Sequence, residues 1–311
     1  MEINLSIIIP CYNEELVIAE THKRLSTVLN ATNLSYELIY INDGSRDNTI
    51  NILKSFSIDN QKVKVIDFSR NFGHQNAVTA GLNNCLGEMA VIIDADLQDP
   101  PEIIPEMVNK MKGTNANVVY GVRKSREGEN WFKLFTAKLF YRMLNALSDY
   151  KFPLDTGDFR LIDRKVINEF NKLPEKNKYI RGLISWMGFK QEPIHYDREA
   201  RFAGETKYPL KKMIKFALTG LFYFSKRPLQ IANIMGTISI CIGILYALII
   251  LFQKIFMADQ LVLGWSSIIF VIIFFGGVQL LTIGILGKYV GNLFDEAKSR
   301  PEYIINEKIN F

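Results

Sequence analysis

The chain has 311 residues, 48% hydrophobic and 22% charged, with a formal net charge of +5. That length allows one large domain and a smaller appendage, and the balance excludes disordered and fibrous classes. A basic chain can suit nucleic acid, but these cations cluster beside apolar segments: Lys211, Lys212, Lys215, Lys226 and Arg227 before them, Lys288, Lys298 and Arg300 after. Such placement points to anionic lipid headgroups instead.

The first 122 residues alternate short apolar runs with amphipathic stretches. Strands are expected at Leu5–Pro10, Tyr36–Asn42, Val63–Ser69, Met89–Asp94 and Asn117–Val122, all rich in Ile, Val and Tyr and too short for helices. Helical periodicity marks Glu14–Asn30, Asn48–Phe56, Gln75–Leu86 and Pro101–Lys112. Strands alternating with helices imply an α/β fold, a doubly wound and mostly parallel sheet with ligands at the carboxyl ends of its strands.

Beyond Val122 the pattern changes. Trp131–Leu147 and Lys207–Phe224 are basic amphipathic helices suited to a membrane interface, or in the first case to packing on the sheet. Two uncharged runs follow, Pro228–Gln253 and Gln260–Gly287, each longer than the roughly 20 residues that span a bilayer. The link Lys254–Asp259 carries one basic and one acidic residue, so the flanking cations put both ends of the hairpin in the cytoplasm. The expected organisation is a soluble domain at 1–206, an interfacial helix at 207–227, transmembrane helices at about 228–253 and 262–287, and a cytoplasmic tail at 288–311. Within the tail, Arg300–Phe311 is expected to form a short edge strand. No signal peptide is expected, because Met1 leads directly into a strand, and Cys11, Cys85 and Cys241 lack metal-ligand spacing, as in a reducing compartment.

Several segments fall where such a sheet holds ligands. In Pro10-Cys11-Tyr12-Asn13-Glu14 the proline ends a strand, Tyr12 can stack on a base and Asn13 can cap the next helix. Asp43, after the second strand, can accept hydrogen bonds from base or ribose. Both segments also read as ordinary strand-to-helix turns. Asp94 and Asp96 of DADLQD point the same way after an apolar strand, and two such charges call for a cation of the Mg²⁺ or Mn²⁺ type. The plainer alternative is an acidic turn before Pro100-Pro101. Asp155–Arg160 adds carboxylates in a Gly-containing turn and Arg160 as a phosphate- or lipid-binding candidate, while Arg201 and Lys207 flank Gly204 and suit a lipid phosphate, a diphosphate or simple headgroup attraction. No G-x-G-x-x-G follows a strand and no P-loop motif is present, which disfavours dinucleotide oxidoreductases and P-loop NTPases. His22, His74 and His195 show neither metal-ligand nor triad spacing, and His195 reads as a strand residue.

The segments IIIPCYNE, INDGSRDNT, SRNFGHQNA, DADLQDPPE, TGDFRLIDR and RFAGETKY occur in the order found in family 2 glycosyltransferases. The chain most resembles the bacterial polyisoprenyl-phosphate glycosyltransferases, the bactoprenol glucosyltransferases among them, with dolichol-phosphate mannose synthases more distant. The resemblance implies a nucleotide-diphospho-sugar transferase fold with a two-helix membrane hairpin. It implies that Pro10, Tyr12, Glu14 and Asp43 hold the nucleotide, and that Asp94 and Asp96 bind Mg²⁺ or Mn²⁺ with Gln98 as a further contact. Asp158 matches the position of a catalytic base, with Asp155 nearby, and Arg123 and Arg126 match phosphate-binding arginines. Arg201 and Lys207 match a loop that closes on donor and acceptor. The expected activity is an inverting, metal-dependent transfer of one sugar from UDP-glucose to undecaprenyl phosphate on the cytoplasmic side of a bacterial inner membrane, for envelope decoration. The missing Q-x-x-R-W of processive synthases favours a single transfer. GDP-mannose or another hexose donor is the alternative within the class, and a non-catalytic membrane scaffold is the alternative outside it. The resemblance also implies a homo-oligomer, and the placement of the cations beside the apolar runs argues against a nucleic-acid partner.

Overall fold

The computed structural model describes residues 3–58, 60–123, 156–176, 178–197, 226–256 and 264–311. These residues fall into two compact units, one formed by the described residues up to 197 together with 300–311, the other by those from 226 to 299. Arg126, Arg201, Lys207 and the amphipathic helices expected at Trp131–Leu147 and Lys207–Phe224 lie outside the described residues.

The first unit is built on an eight-stranded sheet in the order β7-β5-β6-β4-β1-β2-β3-β8. In chain order the strands are β1 (Leu5–Cys11), β2 (Tyr36–Asn42), β3 (Val63–Phe68), β4 (Met89–Ile92), β5 (Val118–Arg123), β6 (Thr156–Asp163), β7 (Gln191–Tyr196) and β8 (Ile305–Ile309). The helices are α1 (Ile18–Asn30), α2 (Thr49–Ile58), α3 (His74–Asn84), a 3₁₀ turn Pro101–Ile103 running into α4 (Ile104–Thr114), α5 (Arg164–Lys172) and α6 (Ile180–Trp186). β1 and β2 are buried along their whole length, as continuous apolar runs covered on both faces should be. On one face, Ile18, Leu25 and Leu29 of α1 and Ile104, Met107 and Met111 of α4 join Leu5, Ile7, Ile9 and Leu38 in the core. The opposite pleat carries Ile8, and α3 presses so close there that a Cβ at Gly81 would stand 2.3 Å from Ile8 Cγ2.

The strands expected from apolar runs are all present, with small shifts at their ends. Pro10 does not end β1. It pairs in register with Ile41, while β4 pairs with β1 only as far as Ile8. Pro10 shares the parity of Ile8, whose carbonyl accepts from Ile93 N, so its missing N–H faces the side where β4 has already ended. Asn13 does not cap α1, which starts at Ile18. It adopts a positive φ of 54°, and its Oδ1 accepts from Arg46 N at 2.9 Å, lacing the β1–α1 loop to the β2–α2 loop.

The Gly-containing turn expected at Asp155–Arg160 is instead, from Thr156 onward, the start of β6, which runs antiparallel between β4 and β5. An arginine inside the strand hides its apolar pattern. Arg160 is 3% exposed and is accommodated because its guanidinium donates to the carbonyls of Gly157 and Asp158 at 3.1 and 3.3 Å. The expected edge strand in the tail is β8, antiparallel to β3. Tyr303 stacks on Phe68 at 5.0 Å, Lys178 pairs with Glu302 at 3.1 Å, and Asn310 donates to the carbonyls of Ser57 and Val63.

The second unit holds α7 (Arg227–Phe256) and α8 (Trp265–Ala297), in agreement with the two apolar runs. Both are long and apolar enough to cross a membrane, with mean hydropathy 2.0 over Arg227–Ile249 and 1.9 over Val271–Ala297.

Gly44 tests the packing of the loops around the sheet edge. Its φ is +62°, and an added Cβ would lie 2.3 Å from the Arg70 carbonyl carbon, a main-chain atom with little room to yield. Gly44→Ala should therefore cost about 2 kcal/mol, seen as a lower midpoint of thermal unfolding in detergent. An unchanged midpoint would contradict this close approach.

Candidate active site

Parallel strands deliver their carboxyl ends to one edge of a sheet, and β6, running the other way, delivers its amino end to that same edge. Thus the residues after β4, the last residues of β5 and β7, and the first residues of β6 converge although they are distant in sequence.

Asp94 and Asp96 lie just past β4 on a loop pinned by Thr21 of α1, whose hydroxyl donates to Ala95 O at 2.7 Å. Leu97 of this loop is 2% exposed and has φ +59°, a conformation costly for leucine and held here by its burial. Gln98 N donates to Asp96 Oδ1 at 3.2 Å, which fixes the turn. Although 39% of the Asp94 side chain is exposed, its Oδ1 is buried and has no hydrogen-bond partner among the described residues. His74 Nε2 lies 3.6 Å from it. Burial, reinforced by the charges of Asp99, Asp158 and Asp96, pushes the Asp94 carboxyl up to about 7 against the opposing pull of His74. Among the described residues no group of three or more His, Cys, Asp or Glu is arranged around a metal position. An orphaned carboxylate oxygen beside a second carboxylate does fit a divalent cation that takes its remaining ligands from bound phosphates.

Asp158, on β6, receives three side chains. His74 Nε2, at the start of α3, lies 3.2 Å from Oδ2; Gln75 Nε2 donates to Oδ2 at 3.3 Å; Arg181 Nε of α6 pairs with Oδ1 at 3.0 Å. Gln75 also accepts from Ile180 N at 3.0 Å, so it ties α3 to the start of α6. Burial alone would raise the Asp158 carboxyl, but Arg181, His74 and Arg160 outweigh it and hold it far below the usual carboxylate range. Burial alone would lower His74, and Asp94 and Asp158 instead lift it to about 9.

Arg123 ends β5 facing Asp99, with Nη2 3.6 Å from Oδ1, and its Nε donates to the Tyr196 hydroxyl at 3.5 Å. Asp99 is 1% exposed and also accepts from the Tyr196 hydroxyl.

Residues 6–170 match the model of glycosyl transferase family 2. Over 305 residues the chain is 51% identical to an uncharacterized glycosyltransferase, YkcC, of Bacillus subtilis (strain 168), covering 98% of this chain and 94% of that one. Over 305 residues it is 36% identical to the bactoprenol glucosyl transferase of Shigella phage SfV, covering 98% and 99%. The chain belongs to glycosyl transferase family 2. Among solved structures, glucosyl-3-phosphoglycerate synthase from Mycobacterium tuberculosis, in complex with Mn²⁺, UDP and glucosyl-3-phosphoglycerate, gives a TM-score of 0.53 at 18% identity over 70% of this chain and 77% of that one, a likeness of fold alone.

The family 2 motifs therefore meet at one edge, though not all in the expected roles. Asp94, Asp96, Gln98, Asp158 and Arg123 come together there, while the buried Arg160 head is committed to main-chain carbonyls. Asp43 is 3% exposed, and its carboxylate accepts from Phe72 N at 2.6 Å and Gly73 N at 2.9 Å, so it holds the loop leading to His74. Burial raises its pKa against those hydrogen bonds. Pro10 is buried within β1, Tyr12 is half-buried, and Glu14 lends its N–H to Thr49 Oγ1 at 2.9 Å. His74, Gln75, Asp99, Arg181 and Tyr196 were missed from sequence. His74 carried a faint signal, a histidine right after Gly73 where a helix starts at the ligand edge; Arg181 carried none.

Tyr196→Phe keeps the ring packed edge-on against Phe159 and removes only the hydroxyl that donates to Asp99. Leaving a buried carboxylate one donor short should cost about 1–3 kcal/mol in denaturant unfolding. A variant as stable as the parent would place the support of Asp99 elsewhere.

Proposed function

We propose that this chain transfers one hexose from a nucleotide sugar, UDP-glucose first among donors, to a polyisoprenyl phosphate such as undecaprenyl phosphate. The product is a lipid-linked monosaccharide for cell-envelope glycosylation. The observation that carries this reading is the orphaned Asp94 oxygen set beside Asp96 and facing the His74–Asp158–Arg181 group, at the edge where the family places a sugar nucleotide. Near full-length likeness to a bactoprenol glucosyl transferase supports the lipid acceptor.

In this reading Asp94 and Asp96, with Gln98 beside them, hold Mg²⁺ or Mn²⁺, which when bound supplies charge neutralisation for the departing nucleoside diphosphate. Arg123, braced by Asp99 and Tyr196, faces the phosphates, while Arg126, Arg201 and Lys207 complete the anion-holding set from outside the described residues. Tyr12, Glu14 and the loop held by Asp43 line the nucleotide side. Activity should vanish in EDTA and return with Mg²⁺ or Mn²⁺, and Asp96→Asn should lose several orders of magnitude in turnover, read as radiolabelled sugar entering the lipid phase. A screen of nucleotide sugars with undecaprenyl phosphate identifies the donor. Full transfer in EDTA would end the metal assignment, and GDP-mannose as the preferred donor would revise the sugar.

The helices α7 and α8 are read as a hairpin in the bacterial inner membrane with the transferase domain in the cytoplasm. Connectivity supports that arrangement. β8 follows the second helix and pairs with β3 of the sheet that carries the site, so the chain before α7 and after α8 lies on one side of any bilayer that both helices cross. A cysteine introduced at Ser299 should label only from the cytoplasm, and one at Ala258 from the outer face. Labelling of Ser299→Cys from outside intact cells would overturn the hairpin.

A further inference from the structure

The tail that follows α8 grips both segments that bring side chains to Asp158. One is the loop Ser69–Gly73, which leads into His74 and Gln75. Ser69 N donates to Ile304 O at 3.0 Å, and Tyr303 stacks on Phe68, whose ring meets Phe72 edge-on at 5.8 Å. Asn83 of α3 donates to the Tyr303 hydroxyl at 2.9 Å, and Asn306 donates to Asp67 Oδ2 at 2.9 Å just ahead of the loop. The other segment leads through Lys178 into α6. Ile180 N, at the start of that helix, donates to Gln75 Oε1, and Gln75 Nε2 donates to Asp158 Oδ2. Glu302 meets this segment at Lys178, with Oε1 3.1 Å from Nζ.

Of these contacts the Glu302–Lys178 pair has the most leverage. The Lys178 side chain is 4% exposed and that of Glu302 13%, and the ammonium lies 5.2 Å from the centroid of the buried Phe170 ring. A buried charge that loses its partner is strongly destabilised, so it moves toward water and draws its backbone along. Here that backbone lies two residues before Ile180, whose N–H holds the Gln75 amide in place for Asp158. A misplacement of about 1 Å far from the chemistry can cost on the order of a hundredfold in rate. We infer that Glu302 is a positioning residue for the transfer: by pairing with Lys178 it fixes the start of α6 against Gln75, and so fixes the contact of Gln75 with Asp158. The grip exists only once the chain is finished, both apolar helices included, because β8 and the residues before it come last. The proposed transfer enters only as the turnover through which the effect is read.

The experiment uses the full chain in proteoliposomes, with Glu302→Gln, Glu302→Asp and, as a control, Glu307→Gln, which breaks an exposed pair between the same tail and Lys54. Turnover is measured per folded molecule, well below each variant's unfolding midpoint, so that lost stability alone changes nothing. Glu302→Gln should lower kcat about tenfold or more, while KM for the sugar nucleotide and for the lipid shifts less than about threefold. Glu302→Asp keeps the charge on a shorter arm and should fall between Glu302→Gln and the parent, and Glu307→Gln should match the parent. Adding Glu302→Gln to Gln75→Leu should be little worse than Gln75→Leu alone, since both act through one contact. Hydrogen exchange needs no turnover: amides of Lys178–Leu183 should exchange about tenfold faster in Glu302→Gln, with those of α1 and α4 unchanged. That arm decides the inference even if no sugar is transferred, an outcome that would defeat the proposed function instead. Should Glu302→Gln fail to fold, the same readings on Glu302→Asp decide. A parent-like kcat would overturn the positioning role whatever the exchange shows. So would a fall in kcat with unchanged exchange over Lys178–Leu183, or a double variant as poor as the product of its two singles.

Discussion

A carboxylate withdrawn from water must find a cation or a donor, and at the ligand edge of this sheet five aspartates face that demand together. An unpaired buried charge costs several kcal/mol even after relaxation, so the edge is built by how each demand is met. Asp43 is met by two main-chain N–H groups, Asp99 by the Tyr196 hydroxyl and Arg123, and Asp158 by His74, Gln75 and Arg181. Asp96 takes the Gln98 N–H. Asp94 Oδ1 and Asp158 Oδ1 are both buried without a hydrogen-bond partner among the described residues, but Asp158 Oδ1 has the Arg181 guanidinium at 3.0 Å, while His74 Nε2 stands 3.6 Å from Asp94 Oδ1. That asymmetry separates the aspartates that hold the architecture from the pair suited to a divalent cation.

The pairings also explain why helices on both faces matter to one site. Thr21 of α1 reaches through to Ala95 and holds the acidic loop from one side; His74 and Gln75, at the start of α3, and Arg181 of α6 hold Asp158 from the other. The antiparallel insertion of β6 makes this possible. It turns the beginning of a strand toward the edge where its neighbours end, and the cost of placing Arg160 inside the sheet is offset by two carbonyls of its own chain.

The C-terminal strand closes the opposite flank of the sheet. β8 covers the edge of β3, and Tyr303 and Glu302 anchor the tail against Phe68 and Lys178. An edge strand left open would be a template for pairing with other chains, and here it is covered by residues that arrive after two long apolar helices. The tail is thereby a part of the transferase domain and more than an exit from a hairpin.

The strands β1 to β5, the helices between them and the two apolar helices were legible in the sequence, because each follows from local periodicity: short Ile- and Val-rich runs, three–four spacing, or some twenty residues without charge. The acidic pair after β4 was legible for the same reason, since a strand end locates its own next residues. β6 was not, because Arg160 interrupts its apolar pattern and only the surrounding carbonyls make that residue tolerable. Nor was the role of Asp43 legible, nor the convergence of His74, Gln75 and Arg181 on Asp158. Charge pairing acts through a few ångströms of space between segments far apart in the chain, and no periodicity along the chain records it. Which aspartates are satisfied, and which one still wants a cation, was decided only when the sheet brought its edges together.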